Sequence, residues 1–143
     1  MESKNYKVTY LVNQPAEEIF NKILNVRQWW SGLFAEEIEG NSEKLNDEFA
    51  FVAGGGMHYS RQKMVQNIPD KKVVWLVTDS ALSFISKQDE WTGTQLCFEL
   101  FDKDKNSTEV VFTHIGLVPQ IECYDSCSNA WSSYMENFLA PLV

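Results

Sequence analysis

The sequence predicts one α+β domain in which an antiparallel sheet packs against a long C-terminal helix. Three observations support this prediction. Stretches with two-residue apolar alternation follow a short helical region, turn residues separate those stretches, and a three- to four-residue apolar period returns at the end of the chain. The chain has 143 residues, which suits one hydrophobic core, so we treat residues 1–143 as a single domain.

A strand and two short helices are predicted first. Residues 7–12 alternate apolar and polar side chains, which is typical of a half-buried strand. Pro15 favours a helix start, and Glu17 and Glu18 complement the positive end of that helix. Residues 27–30 then predict a second short helix, because Ser31-Gly32 can end it.

Beyond residue 36 the pattern predicts an antiparallel meander with turns at residues 54–56 and 69–70. Alternation along its strands predicts which side chains face the core. These are Phe49, Phe51, Val73, Trp75, Val77, Leu96, Phe98, Leu100, Val110, Phe112 and His114. Residues 81–90 have the weakest pattern and predict either a short strand or a long connection.

The C-terminal helix is predicted from the apolar spacing of residues 124–142. Its apolar side chains recur every three or four positions after Pro119, and Pro141 marks its end. About 20 residues would make a helix of roughly 30 Å, long enough to cross a sheet. Such an apolar face needs the sheet to cover it.

Charge and composition exclude several functions. The net charge is −8 with 12 basic and 20 acidic residues. Arg27 and Arg61 are the only arginines, so contacts to nucleic-acid phosphates or to an anionic membrane surface are disfavoured. The longest apolar run, residues 73–77, is too short to span a bilayer, and no targeting segment is evident, which predicts a cytoplasmic protein.

Several local motifs favour structural roles. Gly54-Gly55-Gly56 lacks the Lys-Ser/Thr of a phosphate-binding loop and predicts a hairpin turn. Cys123 and Cys127, with His114, raise the alternative of a zinc site, but no fourth ligand is evident. We therefore expect reduced, buried thiols and no metal or cofactor. Adjacent carboxylates such as Glu36/Glu37 and Asp89/Glu90 predict a solvated acidic surface.

The two histidines are expected to differ. Alternation places His114 inward near the start of the last helix, where it either holds a backbone carbonyl or forms a polar group at one end of a cavity. His58 lies beside a hairpin and is predicted to be exposed. No nucleophile, base or catalytic triad pattern accompanies either residue, so no catalytic residue is assigned.

A family resemblance rests on six pieces of sequence that together span nearly the whole chain. They are residues 14–20 (QPAEEIF), 26–31 (VRQWWS), 73–77 (VVWLV), 90–94 (EWTGT) and 112–117 (FTHIGL), together with Trp131. This set resembles the START-like superfamily, also called SRPBCC or the helix-grip fold. Within it, the closest resemblance is to the family related to the activator of the 90-kilodalton heat-shock-protein ATPase.

The resemblance implies a curved antiparallel sheet of about six to seven strands wrapped on the C-terminal helix, with two short helices after strand one. It usually implies a hydrophobic cavity between sheet and helix. Roles in the superfamily range from ligand carriage to polyketide cyclisation to chaperone contact. The activator that gives its name to the heat-shock activator family acts on a chaperone.

Three functional hypotheses follow from the aromatic content, 13% of the chain, together with this resemblance. The first is binding of a small lipophilic or aromatic ligand. Candidate ligand-binding residues are Phe51, Trp75, Phe98, Phe112, His114, Tyr124, Cys127, Trp131 and Tyr134. The second is a chaperone-activator-like interaction module, for which Trp29, Trp30 and Phe34 could form a lid or an exposed contact surface.

The third hypothesis, a cyclase or hydrolase using the same cavity, is the weakest, and the sequence favours a protein that is not an enzyme. A cavity above about 300 Å³ that reaches His114 and Trp75 would indicate a carrier or an enzyme. A filled interior with exposed tryptophans would indicate the interaction module. The sequence leaves monomer and dimer open.

Overall fold

The computed structural model describes residues 4–143, and within them seven strands form one curved antiparallel sheet in the order β1-β7-β6-β5-β4-β3-β2. The strands are β1 Tyr6–Val12, β2 Glu37–Gly40, β3 Glu48–Ala53, β4 His58–Ile68, β5 Lys72–Leu82, β6 Gln95–Asp104 and β7 Ser107–Ile115. The helices are α1 Ala16–Leu24, α2 Val26–Trp29 and α3 Tyr124–Phe138, with 3₁₀ turns at Gly54–Gly56 and Ala140–Leu142. The predicted fold class is confirmed.

The inner face of the sheet follows from the strand register. Val8, Phe112, Phe98 and Val73 stand side by side across four neighbouring strands. Side chains at paired positions share one face of a sheet, so these apolar groups form one continuous surface. The Trp131 ring of α3 lies with its centroid 4.6 Å from that of Phe112. The core therefore lies between this surface and α3.

The predicted length of α3 is wrong. The helix begins at Tyr124, as predicted, but it has 15 residues, not about 20, because it ends at Phe138. After the helix, Pro141 has no N–H to donate, and the chain continues as the 3₁₀ turn Ala140–Leu142.

Residues 81–90 are predicted to form either a short strand or a long connection, and the structure combines parts of both. β5 extends to Leu82, and the chain then turns from Ser83 to Gly93. The extension pairs with β4 beyond a register shift between Arg61 and Gln62, the kind of irregularity that bends a strand. The segment is therefore the end of a long strand followed by a connection.

Truncating a side chain on the inner face of β6 should lower the stability of the protein, whereas truncating one on its outer face should not. Phe98 is 0% exposed and Phe101, three residues along the same strand, is 45% exposed. Phe98→Ala should lower the free energy of unfolding by about 3–5 kcal/mol, and Phe101→Ala by less than about 0.5 kcal/mol. Urea denaturation of both variants measures this, and equal losses would contradict the assignment of the two faces.

Candidate functional site

All five tryptophans are buried, and their rings fill the centre of the molecule. Trp131 is the hub of this packing. Its ring centroid lies 5.1 Å from that of Trp30 and 5.9 Å from that of Trp91, and both pairs are stacked. Trp30 in turn stacks on Phe51 at 3.9 Å. Aromatic rings thus occupy the space that the sequence hypothesis reserved for a cavity.

A smaller pocket remains beside this packing, and we call it the aromatic groove. It has a volume of about 170 Å³ and a lining that is almost entirely apolar. Its inner wall consists of Trp30, Phe51, His58, Trp91, Cys127, Trp131 and Tyr134. Its outer edge consists of Phe34, Ala53, Gly54, Met57, Phe84, Ser126 and Ala130. The groove lies between the β3–β4 hairpin and α3.

Three large apolar side chains at the outer edge are exposed to solvent. Phe34 is 47% exposed, Met57 51% and Phe84 38%. When an apolar partner covers this site, the exposed apolar groups leave water, and this makes binding more favourable.

The segment that carries Phe34 is fixed by the Glu36 carboxylate. Glu36 Oε2 accepts a hydrogen bond from the Tyr134 hydroxyl at 2.5 Å, and the carboxylate also accepts the backbone N–H groups of Leu33 and Phe34. Partial burial raises the pKa of Glu36, but these hydrogen bonds outweigh it and hold that pKa below its usual value. Burial and the Glu36 charge both raise the pKa of Tyr134.

The carboxylates of Glu90 and Glu122 together fix the segment that carries Phe84. Glu90 accepts the backbone N–H groups of Glu122 and Cys123 just before α3, and Glu122 accepts the N–H of Ser86. A carboxylate at this position satisfies N–H groups that a helix start leaves unpaired. The prediction that Glu36 and Glu90 belong to a solvated acidic surface is therefore wrong.

His114 is fully buried and both of its ring nitrogens are hydrogen-bonded. Trp131 Nε1 donates to His114 Nδ1 at 2.9 Å, so the ring proton lies on Nε2, which donates to Thr94 Oγ1 at 2.8 Å. Thr94 Oγ1 donates onward to the Trp91 carbonyl. Burial, with a smaller contribution from His58, lowers the pKa of His114 to about 3. This neutral imidazole joins β7 to α3 and is not free to act as an acid or base.

His58 is not exposed, which corrects the sequence prediction. Its ring packs edge-on against Trp91 and Phe51, with centroids 4.5 and 5.4 Å away. It lines the aromatic groove, and burial lowers its pKa to about 4. His58 begins β4 two residues after Gly56, the last glycine of the turn, and the strand's alternation points it inward.

A line of buried polar groups continues from His58 along β4 and was missed by the sequence analysis. Ser60 and Gln62 lie on either side of the exposed Arg61 and are 0% exposed. His58 Nε2, Ser60 Oγ and both polar atoms of the Gln62 amide have no hydrogen-bond partner. The alternation that places Met64 inward could have revealed these residues.

The predicted ligand-binding residues divide into two groups. Phe51, Cys127, Trp131 and Tyr134 line the aromatic groove. The others lie away from it: Trp75, Phe98, Phe112 and His114 are buried in the core and Tyr124 is partly buried at the start of α3.

The predicted lid residues also divide. Trp30 and Phe34 line the groove, but Trp29 does not. Trp29 and Trp30 are buried, and Trp29 Nε1 donates to the Ile23 carbonyl. An exposed surface made of both tryptophans is therefore wrong, because they pack into the core and leave Phe34 outside.

The remaining sequence candidates can also be placed. Gly54–Gly56 forms the turn between β3 and β4. Cys97, Cys123 and Cys127 are buried free thiols. Within residues 4–143, no group of three potential ligands is arranged to hold a metal ion, and no helix is long and apolar enough to cross a membrane.

Known structures share this architecture over nearly the full chain. An Aha1 dimer from Colwellia psychrerythraea is similar with a TM-score of 0.73 and 21% identity, covering 96% of this chain and 95% of that one. This chain has the helix-grip fold. The Mll3558 protein from Rhizobium loti is similar with a TM-score of 0.71 and 17% identity, covering 97% of this chain and 96% of that one.

An HSP90 activator from Plasmodium falciparum is a third helix-grip neighbour, with a TM-score of 0.61, 16% identity and coverage of 94% and 95% of the two chains. No family model matches the sequence, and no curated protein sequence is significantly similar to it. At these identities the similarities establish the fold, and the function has to be argued from the site.

The two buried histidines should make this helix-grip domain less stable in mild acid. Their folded pKa values of about 4 and about 3 lie below the unfolded value of 6.5. The unfolded chain then binds more protons below pH 6.5, so stability falls as the pH drops. We expect a loss of about 4 kcal/mol between pH 7 and pH 5, measured by urea denaturation. His58→Phe should show about half of that loss, whereas a constant stability would contradict neutral buried histidines.

Removing the Tyr134 hydroxyl should destabilise the groove wall. Tyr134→Phe deletes the donor to Glu36 and should cost about 1–2 kcal/mol of unfolding free energy. Tyr124→Phe is the matched control on the same helix, since the Tyr124 hydroxyl bonds to no side chain or backbone group within residues 4–143, and it should change stability by less than about 0.5 kcal/mol. Equal effects in thermal denaturation would show that the Glu36 contact contributes nothing.

Proposed function

We propose that this protein binds a small apolar, aromatic ligand in the aromatic groove. The observation that carries the proposal is a concave site walled by stacked rings and edged by the exposed side chains of Phe34, Met57 and Phe84. Ligand sites in proteins are typically concave, apolar and largely formed before binding. Stacked rings on the inner wall offer faces and edges on which an aromatic ligand can pack.

The size of the groove limits the ligand. Its volume of about 170 Å³ is close to the ~150 Å³ of an engineered cavity that binds benzene. It is below the ~300 Å³ at which drug-sized ligand pockets begin. The ligand class is therefore a compound with one aromatic ring, or one such ring on a larger molecule that extends past Phe34 and Phe84.

Binding can be tested by filling the groove. Ala130 lines it from α3, and Ala130→Phe should lower the affinity for toluene or indole at least tenfold, because the new ring occupies the ligand's volume. Ala81→Phe adds the same group at an exposed position of β5 and should leave affinity unchanged. Isothermal titration calorimetry measures both. No binding of either probe to the unaltered protein would end the proposal.

A second candidate is an interaction module of the chaperone-activator kind. The exposed trio Phe34, Met57 and Phe84 favours it, because a clustered apolar edge is also typical of protein contact sites. One structural neighbour is described as an HSP90 activator. We expect such a partner to meet this edge, and we place either activity in the cytoplasm.

The second candidate predicts a measurable effect on a chaperone. The ATPase rate of purified HSP90 should rise when this protein is added, and Phe84→Ser should reduce the increase. Phe101→Ser, which removes an exposed ring far from the groove on β6, is the control. An unchanged ATPase rate with the unaltered protein would leave ligand binding as the function.

A further inference from the structure

The inner wall of the aromatic groove includes His58, and this side chain begins a line of polar groups that runs into the core. His58, Ser60 and Gln62 point inward from consecutive alternating positions of β4, and each has at least one buried polar atom without a partner. Burying a polar group without a hydrogen-bond partner destabilises the folded protein. Native proteins carry few such groups, and each calls for an explanation.

The polar line meets the groove at His58. Its ring lines the groove and lies between Phe51 and Trp91, whose centroids are 5.4 and 4.5 Å away. Phe51 stands opposite Ser60 in the strand register, and Phe49 stands opposite Gln62. Of the three polar residues, His58 is the one whose side chain lines the groove.

The charges around the groove disfavour an anionic ligand. No lysine, arginine or carboxylate is among its lining residues. The Glu36 carboxylate, which is negative, is hydrogen-bonded to the lining residue Tyr134. The buried His58 imidazole is neutral at pH 7. An anion entering the groove would lose its hydration without gaining a cationic partner.

We propose that His58 recognises the hydroxyl group of a neutral, phenol-like ligand in the aromatic groove. This inference rests on the proposed ligand-binding function and specifies its ligand class. A neutral imidazole presents one donor and one acceptor. A phenolic hydroxyl is itself both a donor and an acceptor, so it can pair with His58 in either tautomer, whereas a carbonyl can pair with only one.

The alternatives fit the site less well. A hydrocarbon ligand would leave His58 Nε2 unpaired, and a carboxylic acid would be ionised at pH 7. The shape of the groove accommodates one ring, and a hydroxyl on that ring adds a single heavy atom. A phenol therefore satisfies the apolar wall and the polar side chain together.

The test compares phenol, toluene and benzoate at pH 7 by isothermal titration calorimetry. In an apolar groove without a polar partner, phenol would bind more weakly than toluene, because its hydroxyl loses hydrogen bonds to water. We expect phenol to bind at least as tightly as toluene, and benzoate at least tenfold more weakly than either. Phenol binding tenfold or more weaker than toluene would overturn the inference and leave the proposed function standing.

A substitution at His58 separates recognition from packing. His58→Phe should lower the ratio of phenol affinity to toluene affinity about tenfold, the amount that one hydrogen bond of about 1.4 kcal/mol supplies. His58→Gln, which keeps a donor and an acceptor, should retain most of the phenol affinity. An unchanged ratio of phenol to toluene affinity in His58→Phe would overturn the inference.

A measurement on the unaltered protein covers the case in which these variants fold poorly. Imidazole ¹⁵N chemical shifts of His58 should move on addition of phenol and stay nearly constant with toluene, while those of His114, which is hydrogen-bonded to Trp131 and Thr94, serve as the internal reference. Shifts that respond equally to both ligands would contradict a hydrogen bond from the hydroxyl. If neither phenol nor toluene binds, the proposed function itself fails.

Discussion

The hydrogen bond from Trp131 to His114 is the interaction on which the arrangement of helix and sheet depends. Trp131 brings an indole N–H into the core, where an unpaired donor would be costly. His114 Nδ1 accepts it, and this requires a neutral ring whose other nitrogen donates to Thr94. One chain of hydrogen bonds therefore connects α3, the end of β7 and the turn before β6. The position of α3 over the sheet follows from it.

The aromatic packing around Trp131 decides where free space remains. Trp30, Trp91 and Phe112 surround its ring, so the centre between sheet and helix is filled. The space that is left lies at the hairpin end of α3, where the chain has small residues such as Ala53, Gly54 and Ala130. Because bulky rings fill the middle and small side chains occur at one end, the space left for a ligand is small and lies at that end.

Two carboxylates have structural roles that the acidic composition hides. Glu36 accepts two backbone N–H groups and the Tyr134 hydroxyl, and Glu90 accepts two backbone N–H groups at the start of α3. Both hold loops that carry apolar side chains to the edge of the groove. In the sequence these residues are indistinguishable from solvated acids, because their partners are 30 or more residues away or belong to the backbone of a turn.

The sequence by itself determined the strands, the inward set from Phe49 to Phe112, the helices and the fold class, because alternation and helical spacing are local patterns that burial imposes on each segment. It also placed His114 inward. Only the tertiary structure decided that Trp29 and Trp30 are buried, that His58 lines the groove and that the interior is filled. These outcomes depend on how rings from distant segments share one volume, and no local pattern records that division.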